Sequence, residues 1–287
     1  MNKNDHIKLI IALISFFLVG FSIAQGDSNR IIFPGFEFEI DSVERLYGDN
    51  VALRKKADKE SSAVDTLSIG EKVTILQKTK ETIEINGLNS FWYKVRSKSG
   101  TGYIAGGLIA KDSKTIGSDT YLLIYAGGDR EDYGATVRCR LLASDGDFYG
   151  HEFSVNTSAF YIEAFDDRGI QGINNMLKIN LFAEACGVDG GEVYLFNDGT
   201  KLIKTLELSQ VSDGGVFWFR EEIKFPDEAY WGENTLVYER EFGEMINEDL
   251  QITRAVNHTL PIVWENGAFT PDINTLELDE DLESQEE

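Results

Sequence analysis

Basic residues are outnumbered 27 to 49 in this 287-residue sequence, and it holds only four prolines, three histidines and two cysteines. Each scarcity excludes something. A formal net charge of −22 argues against nucleic acid and against anionic membrane surfaces, since both reward Lys and Arg. Zinc hydrolases need three protein ligands, usually two or three of them His. Beyond the first few residues only His151 and His258 remain, and His151-Glu152 is followed by Phe153-Ser154-Val155, so no His-Glu-x-x-His occurs. No metal or cofactor site is therefore expected. No Gly-x-Ser-x-Gly elbow exists, and Lys98-Ser99-Gly100-Thr101-Gly102 reads as a hairpin turn and not as a phosphate loop. Few prolines beside 27 glycines suit turn-rich β structure better than a disordered chain.

Long apolar runs are also rare, with one at the N-terminus. Lys3 and Lys8 precede Leu9 to Val19, which is apolar apart from Ser15. Ser22-Ile23-Ala24 then offers small residues at −3 and −1 for cleavage before Gln25. An uncleaved anchor is the alternative, but the run is shorter than the roughly 20 residues a spanning helix needs. Residues 1–24 are thus expected to be a signal peptide. The product would be exported, periplasmic or extracellular, with no membrane span after cleavage. Export suits the two cysteines: Cys139 and Cys186 would form one disulfide, or stay as two separate buried thiols.

After a polar lead-in at 25–36, short alternating segments follow. Asn50-Val51-Ala52-Leu53-Arg54, Gly70-Glu71-Lys72-Val73, Trp92-Tyr93-Lys94-Val95 and Gly102-Tyr103-Ile104 read as strands, and Asn86-Gly87 is a strong hairpin signal. In this order and spacing, with Leu108-Ile109 closing the set, residues 37–112 resemble the bacterial SH3 domain. The loop Lys55 to Ser62 and the Tyr at position 103, where the family more often has Trp, depart from its pattern. The resemblance implies a small bent barrel filled by Val51, Leu53, Val73, Ile75, Tyr93, Val95 and Ile104. It also implies a binding or targeting role toward peptides or cell-wall material. On the Trp92 strand, Phe91, Tyr93 and Val95 share one face while Trp92, Lys94 and Arg96 share the other. Tyr47, Trp92, Lys94 and Tyr103 are therefore candidate ligand-binding residues. The alternative is that Trp92 packs against the second domain or the lead-in.

Residues 113–119 read as a polar linker, and 120–275 as an acidic β-rich domain, an antiparallel sandwich or meander. Its strands are expected at 120–126, 135–144, 160–165, 177–186, 192–196, 201–208, 215–225 and 234–242, separated by turns such as Asp145-Gly146, Asp189-Gly190-Gly191, Asn197-Asp198-Gly199 and Asp213-Gly214. A helical turn around Met176, Ile179 and Ala183 is the alternative for one of them. Residues 173–196 are faintly similar to one blade of an FG-GAP-type propeller, with Asp166-Asp167-Arg168-Gly169 as its calcium loop, but later ligands are missing. Arg130-Glu131-Asp132 and Asp145-Gly146-Asp147 have calcium-like character but read better as turns.

Residues 37–112 carry 12 basic and 12 acidic residues, and residues 113–287 carry 12 and 35. The acidity therefore belongs to the second domain and to the tail 276–287, which reads as solvated and disordered. Bacterial SH3 domains often accompany cysteine peptidases with an Asp-Cys-Ser-Gly nucleophile. Arg138-Cys139-Arg140 and Ala185-Cys186-Gly187 do not match it. The expectation is a mainly β, non-enzymatic envelope protein with a peptidoglycan or peptide ligand. A carboxylate hydrolase and a scaffold for another envelope protein are the alternatives.

Overall fold

The computed structural model describes residues 29–128, 134–183, 185–247 and 252–275. The expected signal peptide, Arg130-Glu131-Asp132 and the acidic tail lie outside the described residues.

The first sheet contains β1 (Val43–Arg45), β2 (Val51–Arg54), β3 (Ala63–Leu67), β4 (Lys72–Ile85), β5 (Leu88–Ser97) and β6 (Gly100–Ala105). Its order is β1-β4-β5-β6-β2-β3, all antiparallel. Strict alternation drives its closure. Every expected barrel filler is buried in one cluster with Phe38, Leu46, Leu67 and Ile109. Asn86 and Gly87 both have positive φ, 53° and 78°, and Ile85 pairs with Leu88, so the two-residue turn matches the twist of its strands.

The expected linker is instead a strand. β7 (Asp112–Ile116) turns at Gly117 into β8 (Asp119–Gly128). With β9 (Ala135–Leu142) and β10 (Phe148–Val155) they form a sheet of order β10-β9-β8-β7. Ser113 to Asp119 reads as linker because it is polar; pairing with β8 satisfies its backbone all the same. The lead-in is not loose either. Ile32 and Phe160 exchange two backbone hydrogen bonds, at 2.7 and 2.9 Å. Arg30 clamps the buried Glu44 carboxylate at 2.8 and 3.0 Å and donates to the Lys111 carbonyl.

The third sheet is an antiparallel meander of β11 (Phe160–Phe165), β12 (Asn175–Leu181), β13 (Gly190–Asn197), β14 (Leu202–Asp213), β15 (Phe217–Lys224), β16 (Thr235–Asn247), β17 (Ile252–Glu265) and β18 (Ala268–Thr270). β13 and β17 are four positions apart, about 19 Å in a flat sheet. Yet the rings of Phe196 and Trp264 lie 5.1 Å apart. The sheet therefore rolls over on itself. One face of β12 and β13, with Leu177, Ile179, Val193 and Leu195, packs on Tyr121, Leu123, Val137, Cys139 and Leu141 of the four-stranded sheet. The other face, with Met176, Tyr194 and Phe196, is covered by Ile223, Tyr238, Ile262 and Trp264. Met176 and Ile179 thus lie in different clusters, and no helical turn forms there. β12 ends at Leu181, short of the expected 186. Gly190 and Gly191 belong to β13 and not to a turn. A Cβ at Gly191 would sit 2.0 Å from the Leu208 carbonyl oxygen, so the close strand approach requires glycine.

A buried polar network joins the two sheets of this domain. Asn197 is fully buried; its amide donates to Asp119 and Asn175, and its carbonyl oxygen accepts from Tyr149 at 2.6 Å and from Gly199 N at 2.9 Å. Asn175 donates to Asp119 at 2.8 Å and accepts from Tyr121 at 2.6 Å.

Candidate functional site

The outward face of the barrel carries one in-register row. Gln77 pairs with Lys94, Lys94 with Tyr103, and Tyr103 with Arg54, across β4, β5, β6 and β2. Directly opposed residues project to the same side, so Tyr103 stands between two cations, and all three side chains are half-buried. Two of the expected ligand-binding residues, Lys94 and Tyr103, are thereby brought together. Arg54 joins them, a residue that the sequence reading placed only within the Asn-Val-x-Leu-Arg strand.

The other two expected residues are elsewhere. Tyr47 is 6% exposed, in a cluster with Ile69 and Ala110 of the barrel side and Leu122 and Ile124 of β8. The Arg140 guanidinium stacks 4.4 Å from its ring and donates to its carbonyl at 2.8 Å. Tyr47 is thus part of the contact between domains, not a groove wall. Trp92 is 4% exposed beside Ala105 of β6, although it lies opposite the barrel core. Alternation assigned its face correctly but not its exposure, because that face is covered at Trp92 and open at Arg96.

Between the barrel and the second domain lies a cleft of about 380 Å³. The lead-in supplies Pro34 and Phe36, the segment before β1 supplies Glu37, the β4–β5 hairpin supplies Ile85, Ser90, Phe91 and Tyr93, and β8 supplies Ile124 and Tyr125. Lys111 also lines it. The Lys111 Nζ lies 4.7 Å from the Phe38 ring centroid and 5.7 Å from that of Phe36. Burial pushes its ammonium pKa down to about 8, against the pull of Glu37 and Glu44. An unfolded lysine titrates near 10.5, so below pH 8 the folded chain holds a proton at a desolvated site. Between those values the unfolded chain binds more protons, and stability rises with pH. Lys111→Met should therefore stabilise the ligand-free protein at pH 7 by on the order of 1–2 kcal/mol, after allowing for the lost ring contacts. It should also flatten the gain between pH 7 and pH 9.5 in urea titrations.

Among the described residues, the cysteines, histidines and calcium-like turns read from the sequence lie in separate places. Cys139 and Cys186 are free thiols: β9 turns Cys139 into the core, while Cys186 is exposed in the segment after β12. A core thiol is out of reach of a surface turn, so the disulfide alternative fails, and of the two separate buried thiols that formed the other alternative only Cys139 is buried. The register sets His151 opposite Cys139. However, the thiol's contact is the Arg140 carbonyl at 3.9 Å, and burial pushes the Cys139 pKa up, away from a reactive thiolate. His258 is on β17. Asp166 and Asp167 accept from the backbone N–H groups of Arg168 and Gly169, and Arg168 pairs with Asp227 and Glu228, so that loop is a turn. Asp145 likewise accepts from Asp147 N. Among the described residues no group of three or more His, Cys, Asp or Glu is placed to hold a metal ion. A polar cavity of about 490 Å³ is lined by Asp198, Lys201, Asn234, Trp264 and Glu265. Asp198 there accepts from Thr200 N, Thr200 Oγ1 and Lys201 N, and these donors lower its pKa despite some desolvation. It is a turn-forming anion and not a proton-holding acid.

No curated protein and no solved structure matches the chain. Residues 49–110, which run from just before β2 through the close of the barrel, match the family model of the bacterial SH3 domain.

Proposed function

We propose that this is a non-enzymatic, exported protein of a bacterial envelope, and that its SH3 barrel binds or positions a peptide or cell-wall ligand. The observation that carries this reading is the Arg54–Tyr103–Lys94 row on the outward face of a barrel matched by the bacterial SH3 family. An aromatic ring between two cations suits carboxylate-bearing peptides, with stacking and charge acting together. Purified peptidoglycan should sediment with the protein. The Lys94→Ala/Tyr103→Ala double variant should bind about tenfold more weakly, the loss expected for one interaction of ordinary strength. No sedimentation of the wild type, or equal sedimentation of the variant, would overturn the reading. The same incubation should release no soluble fragments; release would favour the hydrolase alternative, for which the cavity holding Asp198 and Glu265 is the place to mutate. Recovery of one stoichiometric envelope protein, with no wall polymer bound, would favour the scaffold alternative.

A further inference from the structure

We infer that the cleft between the barrel and the second domain is a separate binding site for an apolar molecule ending in a single carboxylate. Its volume, about 380 Å³, falls in the range of small-molecule sites. Phe36, Phe91, Tyr93 and Tyr125 give it aromatic walls from three parts of the chain. Gly127 leaves part of the wall bare: a Cβ there would make only ordinary contact with Thr136, at 3.9 Å, so a side chain is sterically tolerated at this lining position.

Charge selects the ligand. The nearby cations Arg30 and Lys78 are paired with Glu44 and Glu37. Among the described residues, Lys111 Nζ has no carboxylate within salt-bridge distance and no hydrogen-bond acceptor; its neighbours are the rings of Phe36 and Phe38. A partly buried ammonium over aromatic faces lacks the anion that would offset its lost hydration. One unpaired cation matches one carboxylate. Glu37, on the same rim, is held by Lys78, so Lys111 is the cation left over for a ligand. The carboxylate would accept from Lys111 Nζ, and the apolar body would lie against Phe36, Phe91 and Tyr125. Such a ligand is either a free small acid or the C-terminus of a polypeptide. The site needs the second domain, so it is not a property of the barrel alone.

Calorimetric titration of the full chain tests this with two probes: 4-phenylbutyrate, and the peptide acetyl-Ala-Leu-Phe as free acid and as C-terminal amide. At least one acid should bind saturably. If the peptide acid binds, its amide should bind about tenfold or more weakly, as expected for a lost charge-assisted hydrogen bond. Saturation by phenylbutyrate alone identifies a free acid, and by the peptide acid alone a chain terminus. Lys111→Met should weaken the acids by about the same factor and erase the acid–amide difference, and Gly127→Leu should abolish binding. Tyr103→Ala should leave this binding unchanged, which keeps the result independent of the proposed wall-binding row. Absence of saturable binding by both acids, or full binding by a folded Lys111→Met variant, would overturn the inference.

Discussion

Asn197→Leu is expected to lower the free energy of unfolding by about 3–4 kcal/mol, measured by urea denaturation. The leucine is near in volume, so cavity formation is a small part of this effect. The larger part is stranded polarity. Tyr149 loses its acceptor, Gly199 N loses the Asn197 carbonyl oxygen, and Asp119 loses one of its two amide donors. Asn197 is fully buried, so water does not replace these partners readily. Adding Tyr149→Phe should recover part of the loss, because it removes a hydroxyl left without its bond; the two substitutions should be clearly non-additive. The exposed Asn156, by contrast, donates at the surface to Asp189, and its replacement by Ala should change stability by about 0.5 kcal/mol or less. If Asn197→Leu were as mild as that, the network would be an incidental contact between sheets and not what fixes their mutual position.

Trp92→Ala is expected to cost about 3–5 kcal/mol, the range for removing a large buried aromatic side chain. Trp92 is 4% exposed, so nearly its whole indole is withdrawn from water. A substitution that looks like a ligand-binding test from sequence would thus act as a folding test. Loss of wall retention by that variant would say nothing about recognition. Tyr103 and Lys94 are better probes, because both are half-buried and Tyr103 is removable without emptying the barrel core. Near-ultraviolet circular dichroism and a urea titration of Trp92→Ala and Trp92→Phe separate the cases: the phenylalanine variant should retain most of the lost stability. A Trp92→Ala protein with wild-type stability would return Trp92 to the list of surface ligand contacts.

The barrel was legible because its determinants are local. Val51 and Leu53, Val73 and Ile75, and Tyr93 and Val95 each alternate within a few residues, and Asn86-Gly87 specifies its turn without help from elsewhere. The same holds for β8, β9, β11 and β13, whose apolar residues are dense. β10 and β17 escaped notice for the opposite reason. Phe148–Val155 carries Gly150, His151 and Glu152 in its middle, and Ile252–Glu265 mixes Arg254, Asn257 and His258 with its apolar residues. Their pairing partners, not their own patterns, make them strands. The polar stretch read as a linker became β7 in the same way, by backbone pairing with β8.

The candidate site divides along this line. Sequence alone established the mainly β fold class with its small barrel, the inward faces of the barrel strands, and the position of Lys94 on an outward face. It did so because side-chain direction in a strand follows a period of two, whatever the surroundings. Tertiary structure alone decided which outward faces meet solvent. It buried Trp92 and Tyr47, set Arg54 beside Tyr103, kept Cys139 apart from Cys186, and set Lys111 in a cleft beside Phe36 and Phe38. Coverage is set by segments far away in the chain, and no local pattern records what will pack against a face.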